Sequence, residues 1–270
     1  MTEEFTSYEE PKATEGEVEL PRGYVVTKKG ETYRFYRATL RELTGEEEDI
    51  IENDSLGFSR RMVRIVGNCL VSLADDQGNE ITDSKTLHEA VMNFTIGDMT
   101  ACMFELRCLT TGSEFNQRVR CLNPNCDRGD GKPLEWTARF DIRKDFPIVA
   151  CTDPGLVVRE FITTRGTRIT WQFATARSRV QFETNRSKTN KSTAALLMRV
   201  MTVNGEPASE EILKKMTKSE REEIRDHMIP LEGGIDTTFD ADCKECGSHF
   251  KDILLVRGFD FFYHSATSED

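Results

Sequence analysis

The sequence predicts an α+β fold in which β-hairpins and helices gather around a four-stranded, zinc-ribbon-like knuckle of four cysteines. Two cysteine turns predict the knuckle. Cys121-Leu-Asn-Pro-Asn-Cys126 lies between strand-like runs at Glu114 to Arg120 and Leu134 to Ile142, and Cys243-Lys-Glu-Cys246 lies between Ile235 to Asp242 and His249 to Arg257. A turn that carries two thiolates between extended arms is half of a tetrahedral site, and the chain supplies two halves. The remaining observation is the alternation of hairpin and helix patterns before each half, which gives the order hairpin, helices, half-knuckle twice.

In chain order, residues 1 to 22 carry seven glutamates against one lysine and one arginine and read as a disordered acidic tail. Residues 23 to 147 form a first unit. It opens with a hairpin, Tyr24 onward and Thr32 to Leu40, turned at Lys28-Lys29-Gly30. Thr44 and Glu47 have the spacing of a capping box ahead of Ile50 and Ile51. Met62, Val63, Val66, Cys69, Leu70 and Leu73 recur at helical spacing and predict one helix over 58–73. A turn at Asp75 to Asn79 leads to helices around 86–94 and 98–109, and then to the first cysteine turn.

Residues 148 to 264 form a second unit, with 265 to 270 as a second disordered tail. Leu156 to Thr163 and Thr167 to Phe173 flank the Thr164-Arg165-Gly166 turn as a hairpin. Helices are expected over 194–201, from Ser209, and after the Thr217-Lys-Ser-Glu220 box, before Gly233-Gly234 turns the chain into its last strands. The recurrence reads either as one unit duplicated, with the metal near a pseudo-twofold axis, or as two units that share only an order of elements.

Chemistry-bearing residues are few outside the cysteine turns. Cys121, Cys126, Cys243 and Cys246 are the predicted ligands of one Zn2+. Four cysteines complete a tetrahedron without an open position, which makes the ion structural. The rival readings are four unrelated thiols or a redox pair at Cys243 and Cys246, and the latter lacks a strand-then-helix context. His249 reads as a half-exposed strand residue. Cys69, Cys102, Cys108 and Cys151 stand singly among apolar residues and read as core fillers. Lys188-Thr-Asn-Lys-Ser-Thr193 ends like a phosphate loop but lacks its glycines. Arg60, Arg61 and Arg64 read as a basic contact patch or one solvated helix face, and Arg177, Arg179, Arg186, Lys188 and Lys191 as a nucleic-acid contact or, with only Phe182 interleaved, a basic loop that faces an acidic partner or solvent. His88, His227, His249 and His264 show no catalytic spacing, so a non-enzymatic protein is expected.

Composition bounds the partners. With 270 residues and 37% hydrophobic residues the chain can bury a sizeable core, and a net charge of −11 argues against nucleic acid and anionic membranes. The opening Met-Thr-Glu-Glu and the lack of a long apolar run predict a chain that is neither secreted nor membrane-spanning. A zinc-ribbon nucleic-acid binder remains the alternative class.

Several stretches carry a resemblance: Tyr36-Arg-Ala-Thr-Leu-Arg-Glu-Leu-Thr-Gly-Glu-Glu-Glu-Asp49, Asn68-Cys-Leu-Val-Ser-Leu73, the first cysteine turn, and the ending Gly233-Gly-Ile-Asp-Thr237, Cys243-Lys-Glu-Cys-Gly247 and Phe259-Asp-Phe-Phe-Tyr263. Over residues 23 to 264 the chain resembles the T4-type baseplate hub and tail assembly proteins of contractile-tailed bacteriophages. The first turn departs from the C-x-x-C pattern by two extra residues, Asn123 and Pro124 being candidates. The resemblance implies a structural or assembly role in the virion tail baseplate, or in the host cytoplasm during assembly. Its partners would be other baseplate or tail proteins, the hub and the tape-measure protein among them. Phe259, Phe261, Phe262 and Tyr263 are the candidate partner-binding residues, either buried in such a partner or packed on their own domain.

Overall fold

A computed structural model describes residues 14–126, 134–184, 190–254 and 258–263. Strands β1 (Glu15–Lys28) and β2 (Glu31–Arg41) form the first hairpin, with Lys29 and Gly30 both at positive φ in its two-residue turn. Helices α1 (Gly45–Glu52) and α2 (Phe58–Cys69), strands β3 (Leu70–Ala74) and β4 (Glu80–Ile81), and helices α3 (Ser84–Asn93) and α4 (Ile96–Thr111) follow. The strands make one antiparallel sheet in the order β1-β2-β3-β4. Strands β5 (Glu114–Arg120) and β6 (Glu135–Asp141) then form a separate two-stranded ribbon.

After α5 (Ile142–Asp145) and β7 (Ile148–Val149) the order of elements recurs. Strands β8 (Arg159–Ile162) and β9 (Arg168–Trp171) are followed by α6 (Ala176–Thr184), α7 (Lys191–Leu197), β10 (Val200–Val203), β11 (Glu206–Pro207), α8 (Glu210–Lys215) and α9 (Lys218–Glu232). Their strands again make an antiparallel sheet in sequence order, β8-β9-β10-β11. The chain ends with β12 (Gly234–Ile235), which pairs with β7, then the ribbon of β13 (Thr238–Asp242) and β14 (His249–Ile253), and a 3-10 turn at Gly258–Phe262. The fold is therefore α+β, and each sheet carries its own core. One gathers Leu40, Ile65, Val66, Leu73, Val91, Cys102 and Leu106, and the other gathers Ile169, Trp171, Leu196, Leu213, Ile224 and Met228. No helix among the described residues is long and apolar enough to cross a membrane.

Four expectations are corrected. The acidic segment to residue 22 is not all tail, since β1 starts at Glu15 and buries Leu20 and Arg22. Its glutamates alternate outward while the apolar face docks on α4. The long helix over 58–73 stops at Cys69, and Leu70 to Ala74 are strand β3. The helix over 194–201 likewise gives way to β10 at Val200. In both places the apolar residues satisfy either period, and pairing with β2 or β9 decides for the strand. Finally, the four strands around the cysteines form two two-stranded ribbons rather than one sheet.

Two buried carboxylates fix the first half. Asp98 caps α4 by accepting from Thr95 N and Oγ1, each at 2.8 Å, while its other oxygen accepts from Arg22 N (2.7 Å) and Gly23 N (2.9 Å) at the bulge of β1. One side chain thus satisfies orphan donors of a helix and a strand together. Glu47 is fully buried and accepts from both Nη atoms of Arg41, from Thr44 N and Oγ1, and from Asn68 Nδ2. The halves meet at glycines. A Cβ on Gly97 of α4 would stand 2.9 Å from Gly233 O, and Gly233, at φ +66°, lies against the backbone of Val149 to Cys151.

Two predictions follow from this packing. Leu20→Ala is expected to cost about 2–5 kcal/mol in urea unfolding, as for other buried leucines; a change near zero would show that the strand is not docked. Burial opposes the ionised form of Glu47, but its hydrogen bonds to Arg41, Thr44 and Asn68 outweigh that and lower its pKa from 4.5 to about 2. The unfolded chain therefore takes up this proton first, so the contribution of Glu47 is complete above pH 4.5 and is lost as pH falls towards 2. The stability gap between the protein and Glu47→Gln, followed from pH 6 to 2, should close across that window. A gap independent of pH would show that the carboxylate is not held ionised.

Candidate metal centre

Each cysteine turn is closed by backbone hydrogen bonds that continue its ribbon. Cys121 N donates to Leu134 O (2.9 Å), Cys126 N donates to Asn123 O (3.0 Å), and the Asn123 side chain accepts from Asn125 N (3.0 Å) in an Asx turn. In the second turn Cys243 N donates to Ser248 O (3.0 Å) and Gly247 N to Cys243 O (2.9 Å), with Gly247 at φ +65°. That conformation suits glycine, which has no Cβ to clash.

The ribbons stack face to face, and this stacking brings the turns together. Phe140 packs on Phe239 with ring centroids 4.6 Å apart, Trp136 meets Phe250 edge-on at 6.1 Å, and Gln117 Nε2 donates to Ile253 O at 3.1 Å. At the far end the four sulfurs of Cys121, Cys126, Cys243 and Cys246 lie within 4.8 Å of one another. Two of the contacts join the halves, Cys121 to Cys246 at 3.7 Å and Cys126 to Cys243 at 3.6 Å. Disulfide sulfurs stand at about 2.0 Å, so these are thiols in contact. A tetrahedral ion with metal–sulfur bonds of about 2.3 Å needs sulfurs about 3.8 Å apart, and the observed spacing suits it.

Protonation accounts for why the cluster suits a cation. Burial pushes the Cys121 thiol up and takes Cys126 to about 12, whereas the Ser248 hydroxyl and backbone N–H beside the exposed Cys246 pull that thiol down to about 6. Four thiolates cannot share this space unaided, because each added negative charge opposes the next. A bound cation removes that opposition and takes all four sulfurs as thiolates.

The four predicted ligands are therefore together, and no other group of three or more His, Cys, Asp or Glu side chains suited to a metal occurs among the described residues. The contacts that Asn123 makes with the second turn were not read from the sequence. Asn123 Nδ2 reaches across to Cys246 Sγ (3.5 Å) and Ser248 Oγ (3.0 Å), so one of the two extra residues in the first turn ties it to the second. The polar turn composition was the available signal, but the cross-turn contact needs the tertiary fold. His249 points its ring nitrogens at Asp242 (2.9 Å) and Asp240 (3.3 Å), and the hydrogen bond to Asp242 raises its pKa.

The C-terminal aromatics take the second of their two readings and pack on their own domain. Phe259, Phe261 and Phe262 are buried in their own chain, with Phe259 against Phe58 (5.0 Å) under the Arg61 guanidinium (4.8 Å) and Phe261 against Phe104 (4.9 Å) and Phe115 (5.5 Å). They fill the seam between α2, α4 and β5. Tyr263 is half exposed. Two members of the second basic run have partners in the chain. Arg177 pairs with Glu89 at 2.7 Å, and Arg179 lies over the Phe58 ring with its pKa lowered by burial, while Arg186 and Lys188 lie outside the described residues. Cys69, Cys102, Cys108 and Cys151 are buried as expected, and burial takes the thiols of Cys69 and Cys108 to about 12 and 11.

No protein-family model, curated protein or solved structure matches the chain.

The geometry predicts one tetrahedral metal ion per chain. Elemental analysis should find one equivalent, falling towards zero in Cys243→Ser and in Cys121→Ser alike. Removing the ion should raise hydrogen exchange in both ribbons, Glu114 to Asp141 and Thr238 to Ile253. A response confined to one ribbon would break the shared-site assignment.

Proposed function

We propose that this chain is a non-enzymatic structural or assembly protein of a contractile phage tail baseplate, in which a structural Zn2+ staples two halves of one molecule. The observation that carries the reading is the closed four-sulfur site, with its ligands divided evenly between distant parts of the chain. Four protein ligands fill a tetrahedral ion and leave no position for water or substrate. An all-thiolate set favours zinc over the hard oxygen-seeking cations.

The stretches that carry the resemblance to baseplate hub proteins support the same reading through their roles in the fold. Arg41 and Glu47 of the first stretch meet Asn68 of the second around one buried carboxylate. Gly233-Gly234 supplies the close approach between halves, and Phe259 to Phe262 plug the core. The shared residues are thus those that hold a rigid shape, as a scaffold for hub and tape-measure proteins requires.

We also infer that the halves are two copies of one unit joined in tandem. The support is the matching run of two strands, two helices, two strands, two helices and a cysteine-turned ribbon, with the same sheet order in each. The metal then lies between equivalent turns, as it would between the subunits of a dimer.

The test is genetic and structural. A contractile-tailed phage that encodes this chain should, when the gene is disabled, stop short of a complete baseplate, and Cys243→Ser should fail to restore it. Normal tails without the protein would overturn the assignment. Tight, salt-sensitive binding of the purified chain to DNA would favour the nucleic-acid-binding class instead.

A further inference from the structure

Three lysines of helices α8 and α9 each pair with an acid of the same helix. Lys214 pairs with Glu210 (2.5 Å), Lys215 with Glu211 (2.6 Å) and Lys218 with Glu222 (3.5 Å), each a cation and an acid one turn apart. Arg221 and Arg225 break that rule. They are two cations one turn apart, an arrangement that destabilises a helix, and neither meets a carboxylate among the described residues.

Both instead point at the start of α7. Arg221 Nη2 lies 3.1 Å from Ser192 Oγ and 2.9 Å from Thr193 Oγ1, and Arg225 Nη1 lies 3.3 Å from the same Ser192 Oγ. Thr193 is buried and anchors Arg221, whereas Ser192 is exposed and its single neutral oxygen serves two guanidinium groups. Lys191, exposed beside Ser192, adds a third positive charge. The chain as a whole has a net charge of −11, yet no carboxylate among the described residues pairs with either arginine.

The first half shows what packing alone uses at these positions. Aligning the capping box Thr95–Asp98 of α4 with Thr217–Glu220 of α9 places Met99 opposite Arg221 and Met103 opposite Arg225. Met99 and Met103 are buried in the first core. A helix that only had to dock would be served by such apolar residues. Two guanidinium groups converging on one hydroxyl offer a charged fork to an incoming oxyanion.

We propose that Arg221, Arg225, Lys191 and the Ser192 hydroxyl form a binding site for a phosphate-class oxyanion. The anion's oxygens accept from the two guanidinium groups, and Ser192 Oγ–H turns from acceptor to donor. This inference is independent of the metal centre and of the baseplate reading.

The experiment uses the full-length, metal-loaded protein and follows thermal unfolding in inorganic phosphate against chloride of equal ionic strength. Phosphate at about ten times its dissociation constant should raise Tm by about 2–4 °C. The response should vanish in Arg221→Gln/Arg225→Gln. Ser192→Asp supplies the negative charge from within the chain, so it should fold stably and be insensitive to phosphate. A parallel arm with glycerol phosphate separates sources, a larger shift there marking an esterified phosphate and a smaller one the free ion. Equal shifts in the wild type and the double variant, or no shift in the wild type, would overturn the proposal. The second result would leave the two arginines as a strap between α7 and α9.

Discussion

Everything in this molecule is consistent with one constraint: two cysteine turns, with residues 127 to 242 between them, must end with their sulfurs in contact. Bringing distant segments together costs conformational entropy that grows only slowly with the length between them, so the long intervening chain is not a large added burden. What must be supplied is geometry. The stacked aromatic faces of the two ribbons supply it, with Phe140 on Phe239 and Trp136 on Phe250 setting the spacing before any ion is considered. A metal bound there would act on a nearly formed site and stabilise the whole closure.

The halves do not rely on that end alone. At the opposite side Gly97 and Gly233 allow backbones to touch, Cys151 N donates to Pro21 O (3.0 Å), and Ala176 N donates to Phe94 O (2.9 Å). Asp98 holds α4 and β1 in one frame, and the equivalent Glu220 joins α9 to Thr167 Oγ1 in the β8–β9 hairpin at 2.9 Å. Donors surround both carboxylates, and burying such a group without them is costly. The Arg221–Arg225 pair differs in that its two charges meet only neutral hydroxyls.

Much of the site was legible beforehand. Cysteine spacing and flanking strand patterns identified all four ligands, because thiolates in turns are a local feature of sequence. Capping boxes at Thr44 and Thr217 were legible for the same reason, being set by residues three apart. The C-terminal aromatics were not. Hydrophobicity marks Phe259, Phe261 and Phe262 as residues that must be covered, but it is silent on whether their own chain or another covers them. Likewise Asn123 and Ser248 are ordinary turn residues until the two turns face each other.

The sequence by itself determined the α+β class, the two cysteine turns, the helix starts at Thr44, Ser209 and Thr217 and the repeated order of elements, all of which follow from short-range periodicity and turn chemistry. Tertiary structure decided where α2 gives way to β3 and α7 to β10, because Leu70, Leu73 and Val200 suit a helix or a strand and only pairing with β2 or β9 separates the two. It decided that Glu15 to Arg22 is a strand, since an acidic segment orders once its alternate residues find α4. It also decided that two turns make one site, because the contact between them rests on ribbon stacking between residues more than a hundred positions apart, which no local pattern encodes.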